Sequence, residues 1–494
     1  MHSPASTVHN AEDLACALET MAVGARGRSG SAAATAALEW AASLSTCDSA
    51  RVRRLYAAAG DAAIAGEHAR ARELLAEADR LPTAEPAAET AAETAIAAAL
   101  AGLPEVAITH ARGTTGADDL ARGLALLQTG GVREGTALIR SGVAAAHRPS
   151  LRARIATGLG LTLIGEHRAA LHTLSAAIED VWRTGAIRLL PAALCGKAHA
   201  MAAVEPIGLA LSAADEATAV ARLTEDSFWL RRATAVTAVL HAVRGDPDLC
   251  HAAIELAAPQ DDAVTRGWVT DAIDLLDLGL GRSGDPGHRT PAVDGPDPRL
   301  DAVEAQLRTG RHPSARVMGA VERISRDADS PLPAARAWRI RGLLAAPAEF
   351  PSCFVTALHL HRSAEQPFET ARTLLAYGER LRRTGRRAGA RRPLREALEV
   401  FERLGARPWA ARAAAELAAT GEHLPRHEVA AGSTHALTTQ ELQVTRAVAA
   451  GLTNREVAQT LFLSHKTVEF HLGNIFRKLG VRRRAQLVHH FLHE

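Results

Sequence analysis

The sequence predicts an all-α protein, a tetratricopeptide-like helical repeat solenoid followed by a small four-helix domain at its C-terminal end. Three observations predict it. Of 494 residues 47% are hydrophobic, drawn mostly from Ala and Leu, and only 3% are aromatic; Ala and Leu lose the least on entering a helix. A motif of helix, Gly-bearing break and second helix recurs along most of the chain. From Leu437 onward, helix caps and apolar spacing mark a separate set of short helices. A chain of this length exceeds what one hydrophobic core supports, so several units are expected.

The clearest copies of the motif are "AAGDAAIAGEHARARELLAEA" around Gly66, "GLGLTLIGEHRAALHTLSAAIE" around Gly165 and "LLAYGERLRRTGRRAGARRPLREALEVFERLGA" around Gly385, with fainter ones at Gly102, Gly130, Gly245 and Gly310. The step from Gly66 to Gly102 is 36 residues, that from Gly130 to Gly165 is 35, and 165 to 245 is 80, close to two steps. Tetratricopeptide-type helical pairs need about 34 residues each. Ala at the contact lets helices approach closely, and Gly at the break supplies the left-handed turn that ends the first helix. A lone pair cannot bury its apolar stripe, so neighbours stack and leave a concave face. That face is a site for a small-molecule ligand or a protein partner such as RNA polymerase; the plainer reading makes the array a spacer. The pattern fails in "GRSGDPGHRTPAVDGPDPRL", which divides a first block (1–280) from a second (301–420) by a loop at 281–300. A linker, 421–436, leads to the C-terminal domain, 437–494.

In that domain Thr438 with Glu441, and Thr453 with Glu456, have the spacing of capping boxes, in which hydroxyl and carboxylate satisfy free amides at a helix start. The first helix should stop at Gly451. The second runs from Asn454 to Leu461 with Val457, Ala458 and Leu461 inward. Ser464 caps a third, carrying Val468, Leu472, Ile475, Phe476 and Leu479 at steps of three and four before Gly480. A fourth begins near Arg483. The second and third helices, joined by the tight connection 462–464, form a helix-turn-helix. In such units the second helix enters the major groove of DNA N-terminus first. Lys466, Thr467, Glu469, Phe470, Gly473 and Asn474 then face the groove, with Asn454, Arg477, Lys478 and the run Arg482 to Arg484 placed for further contacts. The chain is nearly neutral at +2, yet residues 437–494 hold eight Lys or Arg against four Asp or Glu. Positive charge is concentrated where DNA would lie.

The stretch "LTTQELQVTRAVAAGLTNREVAQTLFLSHKTVEFHLGNIFRKLGV" resembles the LuxR (FixJ/NarL)-type helix-turn-helix across nearly the whole domain, through its LT..E start, GLTNREVA, LFLS, KTVE.H and KLGV. "AYGERLRRTGRR" to "EALEVFERLGARPWAARAAAEL", and the early "LACALETMAVGARGRSGSAAATAALEWAASL", are similar to helical parts of the large ATP-binding LuxR-type regulators of actinobacteria. The resemblance implies promoter DNA as partner, dimers on paired half-sites, and backbone contacts by Lys466, Thr467 and His471. Glu469 stands where many relatives have Lys, and Gly473 where a basic residue is frequent, so base preference should differ from theirs. It also implies a P-loop ATPase that the chain does not display: there is no GxxxxGK[ST], and the one Gly-Lys pair, Gly196 and Lys197, is followed by Ala198. No nucleotide cofactor and no enzymatic activity are expected.

Other features carry plainer readings. The five cysteines have no metal or disulfide spacing, which fits a reducing, cytoplasmic and nucleoid-associated setting. No leader or membrane-spanning run is expected. His489, His490 and His493 lack partners at metal-ligating spacing, the basic run from Glu379 to Glu396 is read as a solvated helix face, and the six tryptophans are read as packing, with a ligand pocket as the alternative. The chain reads as a DNA-binding transcription regulator with a helical sensor or interaction region; the competing reading is a repeat scaffold whose terminal domain no longer binds DNA.

Overall fold

The computed structural model describes residues 4–28, 30–81, 86–113, 115–145, 149–257, 262–281, 299–308, 310–326 and 331–422, and, towards the C-terminus, 444–445, 447–449, 452–460, 468–469, 471–473, 475–476, 481 and 486–487. The chain falls into two compact units, Met1–Ala413 and Ala414–Glu494. Twenty-two α-helices are described from Pro4 to Ala418, and no strand is present among the described residues.

Consecutive helices pack on one another as the repeated motif requires. The Gly66 copy becomes Asp48–Ala65 and His68–Asp79, the Gly165 copy Leu151–Leu163 and His167–Thr184, and the Gly385 copy Pro367–Arg383 and Arg387–Leu404. All seven glycines singled out at the breaks have positive φ, from 74° at Gly102 to 96° at Gly130. The turn has one geometry throughout. The amide after the left-handed residue donates back to a carbonyl five residues earlier, as Glu67 does to Ala62 (2.9 Å) and Glu166 to Leu161 (2.8 Å), which satisfies carbonyls left over at the helix end. Two turns of the same kind use glutamate instead: Glu225 (φ 54°) and Glu365 (φ 49°), with Asp226 bonded to Ala221 and Gln366 to His361.

Small residues hold the helices close. A Cβ built on Gly123 would lie 2.9 Å from the Gly135 carbonyl oxygen, and one on Gly142 would lie 2.6 Å from that of Gly116, so Gly116–Thr129 and Val132–Ala145 touch through their backbones. Helices beginning at Leu151, Leu190, Ser227, Ala263 and Leu300 then follow one another at nearly even spacing. The unit also joins parts far apart in sequence: Ala263–Leu280 lies against Gly116–Thr129, and Leu190–Val204 against Pro367–Arg383. The stretch Ile187–Val204 is long and apolar enough to cross a membrane, but more than half of it is buried here, as expected of a core helix.

The loop expected at 281–300 and the linker at 421–436 lie for the most part outside the described residues. Helices from both sides of the loop belong to the first unit, where Arg299 bonds Asp274 and the Thr270 carbonyl. The tryptophans divide. Trp229 and Trp409 are buried, Trp268 and Trp338 half-buried, and Trp40 and Trp182 are 71% and 58% exposed. Packing is thus the wrong reading for the last two, because both sit on the solvent side of Ala-rich helices whose contacts need no large side chain.

Sequence periodicity did not expose a buried ionic cluster in the second half of this unit. Arg339 and Arg372, at most 1% exposed, are held by Asp301, Glu304 and Glu369, with contacts of 3.0 Å from Arg339 to Glu304 and 2.8 Å from Arg372 to Asp301. Burial pushes the Glu304 carboxyl up, but the guanidiniums of Arg339, Arg372 and Arg308 outweigh it and hold the group well below the usual carboxylate range. A visible signal existed: Asp301, Glu304 and Arg308 share the helix stripe of Leu300, Val303 and Leu307, where an isolated charge would be costly.

Candidate nucleic-acid interface

Among the described residues, the second unit has a core of eight buried ones: Val444, Val448, Val457, Ala458, Val468, Leu472, Ile475 and Leu487. Ala447, Leu452, Phe476 and Val481 pack against it. Each segment contributes at helical spacing, with Val444 and Val448 four apart and Val468, Leu472 and Ile475 at steps of four and three. The inward residues expected at Val457, Ala458, Val468, Leu472, Ile475 and Phe476 are all in or against this core; Leu461 and Leu479 lie outside the described residues.

The short helix Asn454–Thr460 starts where its capping box places it. The Thr453 amide donates to Glu456 Oε2 (2.7 Å), the Thr453 hydroxyl donates to the same oxygen (2.8 Å), and the Glu456 amide donates to Thr453 Oγ1 (3.4 Å). The amide bond lowers the Glu456 carboxyl below its ordinary value. The other expected box, Thr438 with Glu441, lies outside the described residues. Leu452 donates to the Ala447 carbonyl (3.2 Å) and Val481 to that of Phe476 (3.0 Å), closing the ends of the helices before them.

With Val468, Leu472 and Ile475 inward, the outer side of the third helix is fixed by its period. Glu469 and Gly473, four apart, are both exposed, and His471 and Asn454 are half-buried. The other candidate contacts, Lys466, Thr467, Phe470, Asn474, Arg477 and Lys478, lie outside the described residues, as do His489, His490 and His493. Nothing within 4 Å would meet a Cβ added at Gly473. At Gly473 itself there is space for a partner to approach the helix backbone.

A short capped helix and a second helix locked on a shared core, with polar positions left outward on the second, define a helix-turn-helix DNA-binding domain. Residues 435–491 match the family described as bacterial regulatory proteins, luxR family, and this C-terminal domain belongs to it. HTH-type transcriptional regulators of Mycobacterium bovis and Mycobacterium tuberculosis are 46% identical over 52 residues, which is 10% of this chain and 6% of theirs. A nitrate/nitrite response regulator homologue of Haemophilus influenzae is 45% identical over 49 residues (10% of this chain, 24% of that one). The Escherichia coli nitrate/nitrite response regulator protein NarP is 41% identical over 58 residues, 12% of this chain and 27% of its own. These matches cover 10 to 12% of the chain, and the chain spans only 6 to 27% of the length of these relatives.

Proposed function

We propose that this protein is a transcription regulator that reads promoter DNA through the third helix of its C-terminal domain, with the helical unit as its sensing or interaction region. The observation that carries the proposal is the pairing of a luxR-family match with a buried core at helical spacing and exposed positions at Glu469 and Gly473 among the described residues. A domain released from selection for DNA would not be expected to keep its cap, core spacing and polar face together. Lys466, Thr467 and His471 approach phosphates, Glu469 accepts from a base edge such as a cytosine amine, and Asn454, Phe470, Gly473, Asn474, Arg477 and Lys478 complete the contact face. Dimers would occupy half-sites spaced by about 10 base pairs. The protein works by binding alone, in the cytoplasm. The even spacing of helix starts and the shared turn geometry support a tetratricopeptide-like array for the first unit.

Genomic fragments captured by the full chain and then footprinted at several salt concentrations test this. Salt-dependent protection of paired half-sites upstream of genes is expected. Absence of salt-dependent binding to any promoter fragment would overturn the proposal in favour of a protein scaffold.

A further inference from the structure

The first unit holds a partly open cavity of about 330 Å³, within the range of small-molecule sites. Its wall is built from helices spread between Val132 and Glu369, so it exists only because distant repeats meet. One part is apolar and aromatic: Trp268 packs edge-on to His199 with ring centroids 4.4 Å apart, and Phe368, Val239 and Leu275 continue the surface. Another part is polar, formed by Arg336, Asp271, His167 and Gln366.

What sets this wall apart is its unanswered nitrogens. Gln366 is 4% exposed and its Nε2 has no hydrogen-bond partner; His167 is 7% exposed and its Nδ1 has none. His199 Nδ1 and Arg336 Nε are unpaired as well. A buried polar group left without a partner is destabilising, and four of them on residues of one cavity are a concentrated deficit. Two of the charged pairs are answered within the protein: Arg336 contacts Glu369 at 2.9 Å, and Asp301 contacts Arg372 at 2.8 Å, while Asp271 is a carboxylate that burial makes harder to ionise. Burial drives His199 down to about 3 and His167, with help from Arg336, to about 4, so both imidazoles are neutral near pH 7. The lining therefore holds no spare cation for an anionic ligand. Gln366 Nε2 and Arg336 Nε are donors without an acceptor, and each neutral imidazole adds a donor or an acceptor according to its tautomer, beside flat apolar surface.

We infer that this cavity binds a neutral small organic molecule with a flat, apolar body and a hydrogen-bond-accepting oxygen, the body against Trp268 and Phe368 and the oxygen towards Gln366 and its neighbours. This deepens, and rests on, the reading of the helical unit as the sensing region. A molecule held there touches helices from both sides of the 281–300 segment, so its binding biases the arrangement of the repeats.

Prodan, a neutral naphthyl ketone whose emission moves to the blue in apolar surroundings, is a suitable probe for the full chain. Saturable, blue-shifted emission is expected at one site per chain. Val239→Trp, which places an indole in the cavity, should abolish it, and Gln366→Leu should weaken it about tenfold, the worth of one good hydrogen bond. Circular dichroism and melting temperature report whether each variant is folded; Trp268→Leu serves if Val239→Trp is not. No saturable emission up to the solubility limit, or emission equally strong in the folded variants, would overturn the inference. Promoter binding measured on the same samples separates the two readings: probe binding without DNA binding refutes the regulator alone, and DNA binding without probe binding refutes the cavity site alone.

Discussion

Gly473 offers the most direct test of how the third helix meets DNA. It lies in helix, exposed, with Leu472 inward beside it and nothing within 4 Å of where a Cβ would stand. Replacing it should therefore cost nothing in packing. Gly in a helix interior is worse than Lys by somewhat under 1 kcal/mol, so Gly473→Lys should stabilise the domain by roughly 0.7 kcal/mol. If position 473 faces the phosphates, the new ammonium releases about one counterion and steepens the slope of log K against log salt by about 0.9. Lowering salt from about 200 to about 50 mM would then favour the variant over wild type by an extra factor of about 3.5. Gly473→Ala is the control: the same direction in stability, no change in slope. Fluorescence anisotropy of a labelled promoter fragment, titrated with the full chain across that salt range, reads both. A salt slope equal to wild type in Gly473→Lys, with the stability gain present, would show that this side of the helix does not lie on the backbone.

Three further outcomes follow from other parts of the molecule. Glu469→Ala should relax preference at one base position by roughly 1 to 3 kcal/mol while leaving the fold intact, because the side chain is exposed; a uniform loss across all sequences in a randomised-site selection would exclude base reading. Glu225→Gly and Glu365→Gly should each raise the melting temperature, since a side chain in the left-handed region costs roughly 1 to 2 kcal/mol; an unchanged or lower midpoint would mean that the turn is not strained. Burial raises Asp271 from 3.8 to about 6, so the folded state holds a proton that the unfolded state has released, and stability should fall as pH rises between those values. Asp271→Asn should remove that part of the fall, about 1.4 kcal/mol, when urea midpoints at pH 5 and 8 are compared; an unaltered pH dependence would refute the assignment.

The parts legible in the sequence were those written in adjacent residues. Thr453 and Glu456 announced a helix start because a capping box closes within one turn, and Val468, Leu472 and Ile475 announced an inward stripe because a helix repeats every 3.6 residues. The glycines at 66, 165 and 385 marked turns because few other residues accept that backbone conformation, although Glu225 and Glu365 occupy the same turn and carried no such mark. The buried charges were harder. Asp301, Glu304, Arg339, Glu369 and Arg372 come from three helices dispersed over some seventy positions, so the apolar stripe around Asp301 and Glu304 hinted at burial but not at the partners.

By itself, then, the sequence determined the helical class, the turns that glycine marks, and the inward stripe Val468, Leu472 and Ile475 of the C-terminal domain. Only the tertiary structure decided which repeats meet. Contact between Leu190–Val204 and Pro367–Arg383, and with it the cavity, depends on how helices far apart in sequence come to pack on one another. No single turn encodes that packing, so Trp268, Gln366 and Arg336 become neighbours of one cavity only when the whole unit is assembled.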